Sequence, residues 1–379
     1  MIKIVQFIYG LSMGGAETLV KDYALGINKE IFDLTVLCYK HTDSPYEKML
    51  EKNNIKVVYI EDKIPFFKKQ NFFINIFRRI ALYSWIKYYI WRINPDIIHF
   101  HLTLSSYIKF AKPKKDTVIF LTQHFQVKRW LISYPKDVSA AKWLKTHYRM
   151  RFIALNESMR KEINELFNVD DTIILNNGIH LQRFIDATPR EITKNRLKIP
   201  PKSFVVGHIG RFCEIKNHNF LIDIFAAIVK KREDAFLLLI GKGETQEKIY
   251  NKLLNLGLKD KFCILTNRTD VPDLLKVMDV MIFPSFSEGM PITLVEAQVS
   301  GVKCLVADTI SKEIMISNII KFESLNKSAE EWAEKIVNWK QEKIIYSTID
   351  QWDINKIIKN LEQLYINEIE DYKQDMKQE

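Results

Sequence analysis

The sequence predicts an α/β protein built from two doubly wound parallel sheets. Three observations lead there. The chain has 379 residues, enough for two ordinary cores. Short apolar runs of strand length alternate with helix-patterned stretches along most of it. A polar, proline-containing segment, 186–202, interrupts the alternation and reads as a linker. The expected organisation is a first domain over 1–185, a second over 186–353, and a closing helix over 354–379 that crosses back to the first.

Composition narrows the class. A hydrophobic content of 47% with 27% charged residues indicates an ordered globular chain. No apolar run reaches the roughly 18 residues of a spanning helix, and Met1-Ile-Lys-Ile-Val opens directly as a strand, so a cytoplasmic location is expected. Cys38, Cys213, Cys263 and Cys304 are scattered without metal or CxxC spacing and read as free thiols. The net charge of +10 favours anionic surfaces such as a phospholipid headgroup layer or a lipid diphosphate. Nucleic acid is disfavoured, because no zinc-finger or RNP pattern accompanies the charge.

In chain order, Ile2 to Tyr9 reads as a buried strand, and Gly10-Leu-Ser-Met-Gly14-Gly15-Ala-Glu17 turns it into a helix beginning near Glu17. The turn is glycine-rich, yet it is neither G-x-G-x-x-G nor a P-loop. Strands follow at Leu34 to Tyr39, Lys56 to Ile60, Ile97 to Leu102 and Val118 to Thr122. Ligands of such sheets bind at strand C-termini, where His101 and His124 fall. A hydrogen-bonded structural role is the default for either histidine.

The stretch Ile64 to Arg92 interleaves Phe66, Phe67, Phe72, Phe73, Phe77, Tyr83, Trp85, Tyr88, Tyr89 and Trp91 with Lys68, Lys69, Arg78, Arg79, Lys87 and Arg92. A basic aromatic helix lies well in a membrane interface. A core helix that happens to be aromatic is the competing reading. Phe152 to Leu155 and Thr172 to Leu175 complete the first domain, followed by Asn176-Asn-Gly-Ile-His180.

The second domain opens with a strand, Phe204 to Gly210, then Arg211-Phe-Cys-Glu-Ile-Lys216, then a helix with Phe220, Leu221, Ile224, Phe225, Ile228 and Val229 on one face. Arg211 and Lys216 thus bracket a loop at a strand C-terminus, where cations suit a diphosphate; two solvated loop cations are the alternative. Ala235 to Gly241 and Phe262 to Leu265 are further strands, as are Val302 to Ala307 and Ile319 to Phe322.

The most informative stretch is Phe283 to Gly301. The strand Val280 to Pro284 empties into a short loop, and Pro291 is expected at the first position of a helix ending at Gly301. Exposed N–H groups of Gly289, Met290 and the first turn favour a phosphate or diphosphate there. Glu288 and Glu296 bracket that site, the second roughly 8 Å along at about 1.5 Å per residue. Carboxylates so placed are suited to accept from hydroxyls flanking the phosphates, and a diphosphate hydroxylated at both ends is a nucleotide sugar. The bland alternative is a solvated loop glutamate and a half-buried helix glutamate.

Glu288-Gly-Met-Pro-Ile-Thr-Leu-Val-Glu296 resembles the Glu-x7-Glu motif of retaining glycosyltransferases of the family 4 type, and the downstream Ala-Gln-Val-Ser-Gly and Asp308-Thr-Ile-Ser-Lys-Glu resemble the branch building bacterial capsular and exopolysaccharides. The resemblance implies the GT-B fold, two Rossmann-like domains facing across a cleft. It implies catalytic roles for Glu288, His124, Arg211 and Lys216, and donor contacts from Gly14, Gly15, Asn267, Arg268, Gly289, Met290, Pro291, Thr293 and Glu296. Glu288 holds donor-sugar hydroxyls in this scheme, Glu296 the ribose, and Asn267 and Arg268 the base. The family's Asn-Gly-Ile-Asp signature departs at His180, which receives no role. The implied donor is a nucleotide sugar, commonly UDP-linked, with no metal required; the chain has no Asp-x-Asp triplet. The implied acceptor is a lipid-linked or growing saccharide, handled peripherally on the inner face of the cell membrane. Two other readings compete: a dinucleotide oxidoreductase, against which the missing G-x-G-x-x-G argues, and a catalytically inactive scaffold.

Overall fold

The computed structural model describes residues 1–64, 72–340, 342–347 and 349–378. Among the described residues thirteen strands form two sheets. The first contains β1 (Ile2–Ile8), β2 (Phe32–Cys38), β3 (Lys56–Tyr59), β4 (Ile97–His101), β5 (Val118–Thr122), β6 (Met150–Ala154) and β7 (Ile173–Ile174). The second contains β8 (Phe204–Ile209), β9 (Ala235–Ile240), β10 (Phe262–Leu265), β11 (Val280–Phe283), β12 (Lys303–Ala307) and β13 (Ile320–Glu323). Every pairing is parallel. Helices cover such sheets on both faces, which is why central strands such as Ala-Phe-Leu-Leu-Leu-Ile of β9 are apolar and buried at every position.

The strand orders are β3-β2-β1-β4-β5-β6-β7 and β10-β9-β8-β11-β12-β13. In each sheet the winding reverses once, between β1 and β4 and between β8 and β11. A crevice opens at such a reversal beyond the strand C-termini, and it is the standard ligand position of the architecture.

The chain divides into two units, Met1–Gly178 with Ile354–Glu379, and Ile179–Asp353. The division falls at Gly178 rather than at the expected Asp186. Ile179 N–H donates to Trp352 O at 2.7 Å, and Arg183 Nη2 donates to Thr269 O at 2.8 Å, which ties the helix Leu181–Ile185 to the second unit. Nor is 186–202 a linker. It contains the helix Arg190–Arg196, held by Arg190 on Asp279 (2.7 Å) and by the buried Lys194 ammonium on the carbonyls of Pro201 (2.7 Å) and Ser203 (3.0 Å). Its polar composition reflects ion pairs made inward, which composition alone does not separate from solvation.

The C-terminal helix Ile354–Gln378 packs Ile354, Ile357, Ile358, Leu361, Tyr365 and Ile369 among Leu19, Val20, Tyr23 and Phe32 of the first unit. That apolar stripe has helical spacing. One turn beyond Tyr365, the carboxylate of Glu368 accepts from Arg149 Nε (2.8 Å) and Arg151 Nε (2.7 Å), fixing the helix to β6.

The aromatic and basic stretch contributes one helix face to the core. Phe66, Phe67, Lys68 and Lys69 lie outside the described residues, as do the side chains of Phe72 and Phe73. From the helix Phe72–Ile93, Leu82, Ile86 and Ile90 are buried at a four-residue spacing. Phe77, Ile80, Tyr88 and Trp91 stand exposed. Among the described residues no helix is long and apolar enough to cross a membrane. The four cysteines are free.

Candidate active site

Three loops converge at the C-terminal ends of β8, β9 and β11. After β8 the chain makes a short 3-10 turn, Glu214–Lys216, and Asn217 takes a left-handed conformation (φ 53°) that redirects it into the helix His218–Lys231. The β11 loop is sewn to this turn: Phe286 N–H donates to Ile215 O at 2.9 Å, and Asn217 Nδ2 donates to Pro284 O at 3.2 Å. The β9 loop closes from the other side, with Phe212 N–H donating to Lys242 O (3.3 Å) and Thr245 N–H to Phe212 O (3.1 Å).

This frame brings Lys216 and Glu288 together. Lys216 Nζ lies 2.6 Å from Glu288 Oε1, with the two side chains 16% and 15% exposed, and sits 5.0 Å from the centre of the Phe283 ring. An ammonium mostly withdrawn from water over an aromatic face interacts strongly with an incoming anion. Arg211 is exposed at the start of the same loop.

The following helix spans Ile292–Val299, and Pro291 is its N-cap (φ −75°, ψ 96°) rather than its first helical residue. Pro291 is buried and its carbonyl already accepts from Leu294 N–H at 3.0 Å, so the helix starts one position later than its proline suggests. Gly289 and Thr293 are half-buried beside this turn, Met290 is buried, and Glu296 is half-buried within the helix. At the far end Gly301 is left-handed (φ 79°), and Val302 N–H donates to Ala297 O at 2.9 Å, the expected glycine termination.

Asn267 and Arg268 fall at the C-terminus of β10, two strands from β8. Asn267 is exposed in a left-handed conformation (φ 51°). Arg268 donates from Nε to Asp270 Oδ1 at 2.7 Å, so its guanidinium is held by a carboxylate on its own loop.

Gly14, Gly15 and His124 belong to the first unit. Gly14 is the N-cap of the helix Gly15–Gly26, which begins before the expected Glu17. A Cβ on Gly14 would stand 2.3 Å from Glu17 Oε2, whereas one on Gly15 would meet nothing within 4 Å. The Glu17 carboxylate therefore already covers part of this helix start. His124 is half-buried just beyond β5.

Sequence reasoning missed the setting of His124. His124 Nε2 is 3.0 Å from Nδ1 of the buried His101, whose Nε2 is 2.7 Å from Gln6 Oε1. Gln6 Nε2 donates to Tyr365 Oη at 2.9 Å, and Tyr365 Oη is 2.6 Å from His99 Nδ1. The available signal was His99-x-His101, two imidazoles on one face of an otherwise apolar strand. Burial pushes His124 down to about 3 and His99, which also feels His124, to about 3; His101 lies well below its ordinary value for the same reason.

A second buried pair underlies the second unit's loops. His208 Nδ1 donates to Ile282 O at 2.8 Å, and the His218 ring stacks on Phe212 at 4.4 Å. Burial, with Lys216 nearby, holds His208 well below the usual range and His218 at about 4. These five histidines fold neutral and acquire protons on unfolding below about pH 6.5. Their contribution is complete above that pH and is lost as pH falls toward 4. His41 opposes them: burial works against its charge, but Glu47 and Asp62 raise its pKa, so its contribution is greatest in acid and lost as pH rises through the raised value. Five outweigh one, and the melting temperature is expected to fall steadily from pH 6.5 to pH 4.5 by scanning calorimetry. A flat profile would contradict the buried neutral assignment.

Two doubly wound parallel units with a cation and carboxylate at a winding reversal place the chain in the GT-B class. Residues 189–357 match the model of glycosyl transferases group 1, and residues 13–183 that of glycosyltransferase family 4. The chain belongs to these glycosyltransferases. It is 28% identical over 57% of its length to a UDP-Gal:alpha-D-GlcNAc-diphosphoundecaprenol alpha-1,3-galactosyltransferase of Escherichia coli, covering 60% of that enzyme. It is 24% identical to the capsular polysaccharide biosynthesis glycosyltransferase CapH of Staphylococcus aureus, over 97% of this chain and 99% of CapH. The chain spans about half the length of several curated relatives it matches. In fold it matches Anabaena Alr3699/HepE in complex with UDP and glucose, with a TM-score of 0.71 at 17% identity over 100% of this chain and 99% of that one.

Proposed function

We propose that the protein is a retaining glycosyltransferase that moves a hexose or N-acetylhexosamine from a UDP-sugar to a lipid-linked or growing cell-surface polysaccharide. The observation that carries this reading is the Lys216–Glu288 pair beside a helix start at the β8–β11 reversal. Breaking a glycosyl–phosphate bond builds positive charge on the sugar and negative charge on the departing diphosphate. Lys216, Arg211 and the first-turn N–H groups neutralise the diphosphate, the largest electrostatic contribution such a site supplies. Glu288, released from Lys216 when the diphosphate arrives, accepts from sugar hydroxyls. Glu296 accepts from the ribose, and His124 is assigned to the sugar-transfer chemistry on the family resemblance alone. With two cations serving the diphosphate, no divalent ion is required. Support for the donor and acceptor classes comes from the Escherichia coli relative, whose name carries UDP-Gal and a diphosphoundecaprenol acceptor, and from the UDP complexes of HepE.

Calorimetric titration of UDP, GDP and NAD, with and without EDTA, tests the reading. Binding of UDP that is insensitive to EDTA is expected, with no heat from NAD. Nucleotide binding without transfer to any lipid-linked acceptor would favour the inactive scaffold instead. Glu296→Ala is expected to weaken UDP binding by roughly 10- to 100-fold, the value of a charge-assisted hydrogen bond. Unchanged affinity would remove the ribose assignment.

We also propose that the first unit rests on an anionic lipid surface. Phe77, Ile80, Trp91 and Phe110 are exposed on the helices Phe72–Ile93 and Ser105–Ala111, accompanied by Arg79, Lys87, Arg92 and Lys109. Co-sedimentation with vesicles containing phosphatidylglycerol, abolished by Phe77→Ser with Trp91→Ser, is the expected outcome.

A further inference from the structure

The polar network behind His124 has a direction. Gln6 and His99 are register partners on β1 and β4, and both are fully buried, as are His101 and Tyr365. Gln6 Nε2 donates to Tyr365 Oη and lies 3.4 Å from His99 Nδ1, which turns its Oε1 toward His101 Nε2. An amide oxygen only accepts, so His101 carries its proton on Nε2. Neutral His101 then has a lone pair on Nδ1, and its neighbour 3.0 Å away, His124 Nε2, is the donor. Neutral His124 is left with a bare Nδ1, which has no hydrogen-bond partner among the described residues.

Turning the Gln6 amide over inverts every step. His101 and His124 would each carry the proton on Nδ1, and His124 would present a donor. The two orientations are not equivalent. As observed, one amide hydrogen goes to Tyr365 Oη at 2.9 Å, and the other is directed toward His99 Nδ1 at 3.4 Å, whose lone pair it shares with the Tyr365 hydroxyl. Inverted, the NH2 group faces only His101 Nε2, and one hydrogen is stranded in a fully buried setting, which is costly. Tyr365 Oη accepts from Gln6 and donates to His99 Nδ1, so neutral His99 carries its proton on Nε2 and donates it in a hydrogen bond to Thr122 Oγ1 at 2.7 Å.

We propose that Gln6, oriented by Tyr365 of the C-terminal helix, acts through His101 to fix His124 with its proton on Nε2, so that Nδ1 meets its ligand as a hydrogen-bond acceptor. The group accepted is then a hydroxyl, as a saccharide provides, and not a phosphate oxygen or a carbonyl. Gln6, His101 and Tyr365 are positioning residues in this arrangement. The second half rests on the assignment of His124 to the sugar-transfer site; the first does not.

The test is the long-range 1H–15N spectrum of the full chain labelled at histidine nitrogens, with His101 and His124 assigned by single substitution. Both are expected in the Nε2–H form. Tyr365→Phe touches neither ring, yet it removes the acceptor that orients Gln6, and His124 is expected to become a mixture with the Nδ1–H form. A wild-type His124 protonated on Nδ1 overturns the proposal whether or not the variant folds. So does a folded Tyr365→Phe with His124 purely Nε2–H. Adding UDP-glucose then separates the two halves. A shift at His124 Nδ1 supports the hydroxyl contact. Tautomers as stated with Nδ1 unmoved overturn that contact and leave the relay standing.

Discussion

Lys216→Ala is expected to lower turnover by roughly 10²- to 10³-fold, the loss seen when one preorganised charge-stabilising group is taken from a developing anion. The size follows from the setting. The ammonium is 16% exposed and lies over the Phe283 ring, so water replaces little of what it supplies. Folding is expected to suffer less. Glu288 loses its cation, but its carboxylate keeps partial access to solvent, and the loop remains pinned by Phe286 N–H on Ile215 O and by Asn217 on Pro284 O. Lys216→Arg keeps the charge but spreads it over a planar fork, and an intermediate rate is expected. Rates measured with a UDP-sugar beside melting curves for all three proteins decide the matter. Wild-type turnover in a folded Lys216→Ala would remove the leaving-group role.

Gly241→Ala is expected to cost about 3 kcal/mol of stability in chemical denaturation, the upper range for a strained backbone position. Gly241 has φ 153°, and a Cβ there would stand 1.9 Å from the Gly210 carbonyl oxygen. That oxygen belongs to the backbone of the loop carrying Arg211 and Lys216, so relief requires moving the loop itself. Turnover should therefore fall together with stability, and stabilising osmolytes should restore the fold better than the rate. A variant with wild-type stability would show that the close approach of the two loops does not constrain the site.

Much of this was legible in the sequence because buried parallel strands are written as continuous apolar runs. Each of the thirteen strands falls where such a run predicts, including short ones such as β10 and β11. Glu288 and Lys216 were legible as separate polar residues at strand ends, and the sheet order makes them neighbours. What was not legible depends on partners far along the chain. The segment 186–202 looks like a linker until Asp279 is seen to pair with Arg190 and the carbonyls of Pro201 and Ser203 to accept from Lys194. Pro291 fits the first helical position by type, and only its ψ of 96° shows it to be the cap. The setting of His124 rests on the β1–β4 register and on a tyrosine hydroxyl 266 residues beyond His99.

The C-terminal helix has a consequence for how the protein is made. The first unit is assembled from two stretches of chain, Met1–Gly178 and Ile354–Glu379, with the second unit lying wholly between them. A ribosome thus releases everything the second unit needs while the first still lacks Ile357, Leu361 and Tyr365 from its core. The unit translated first is the one completed last. During that interval Leu19, Tyr23 and Phe32 have an uncovered apolar face, the condition in which nascent chains aggregate or recruit chaperones.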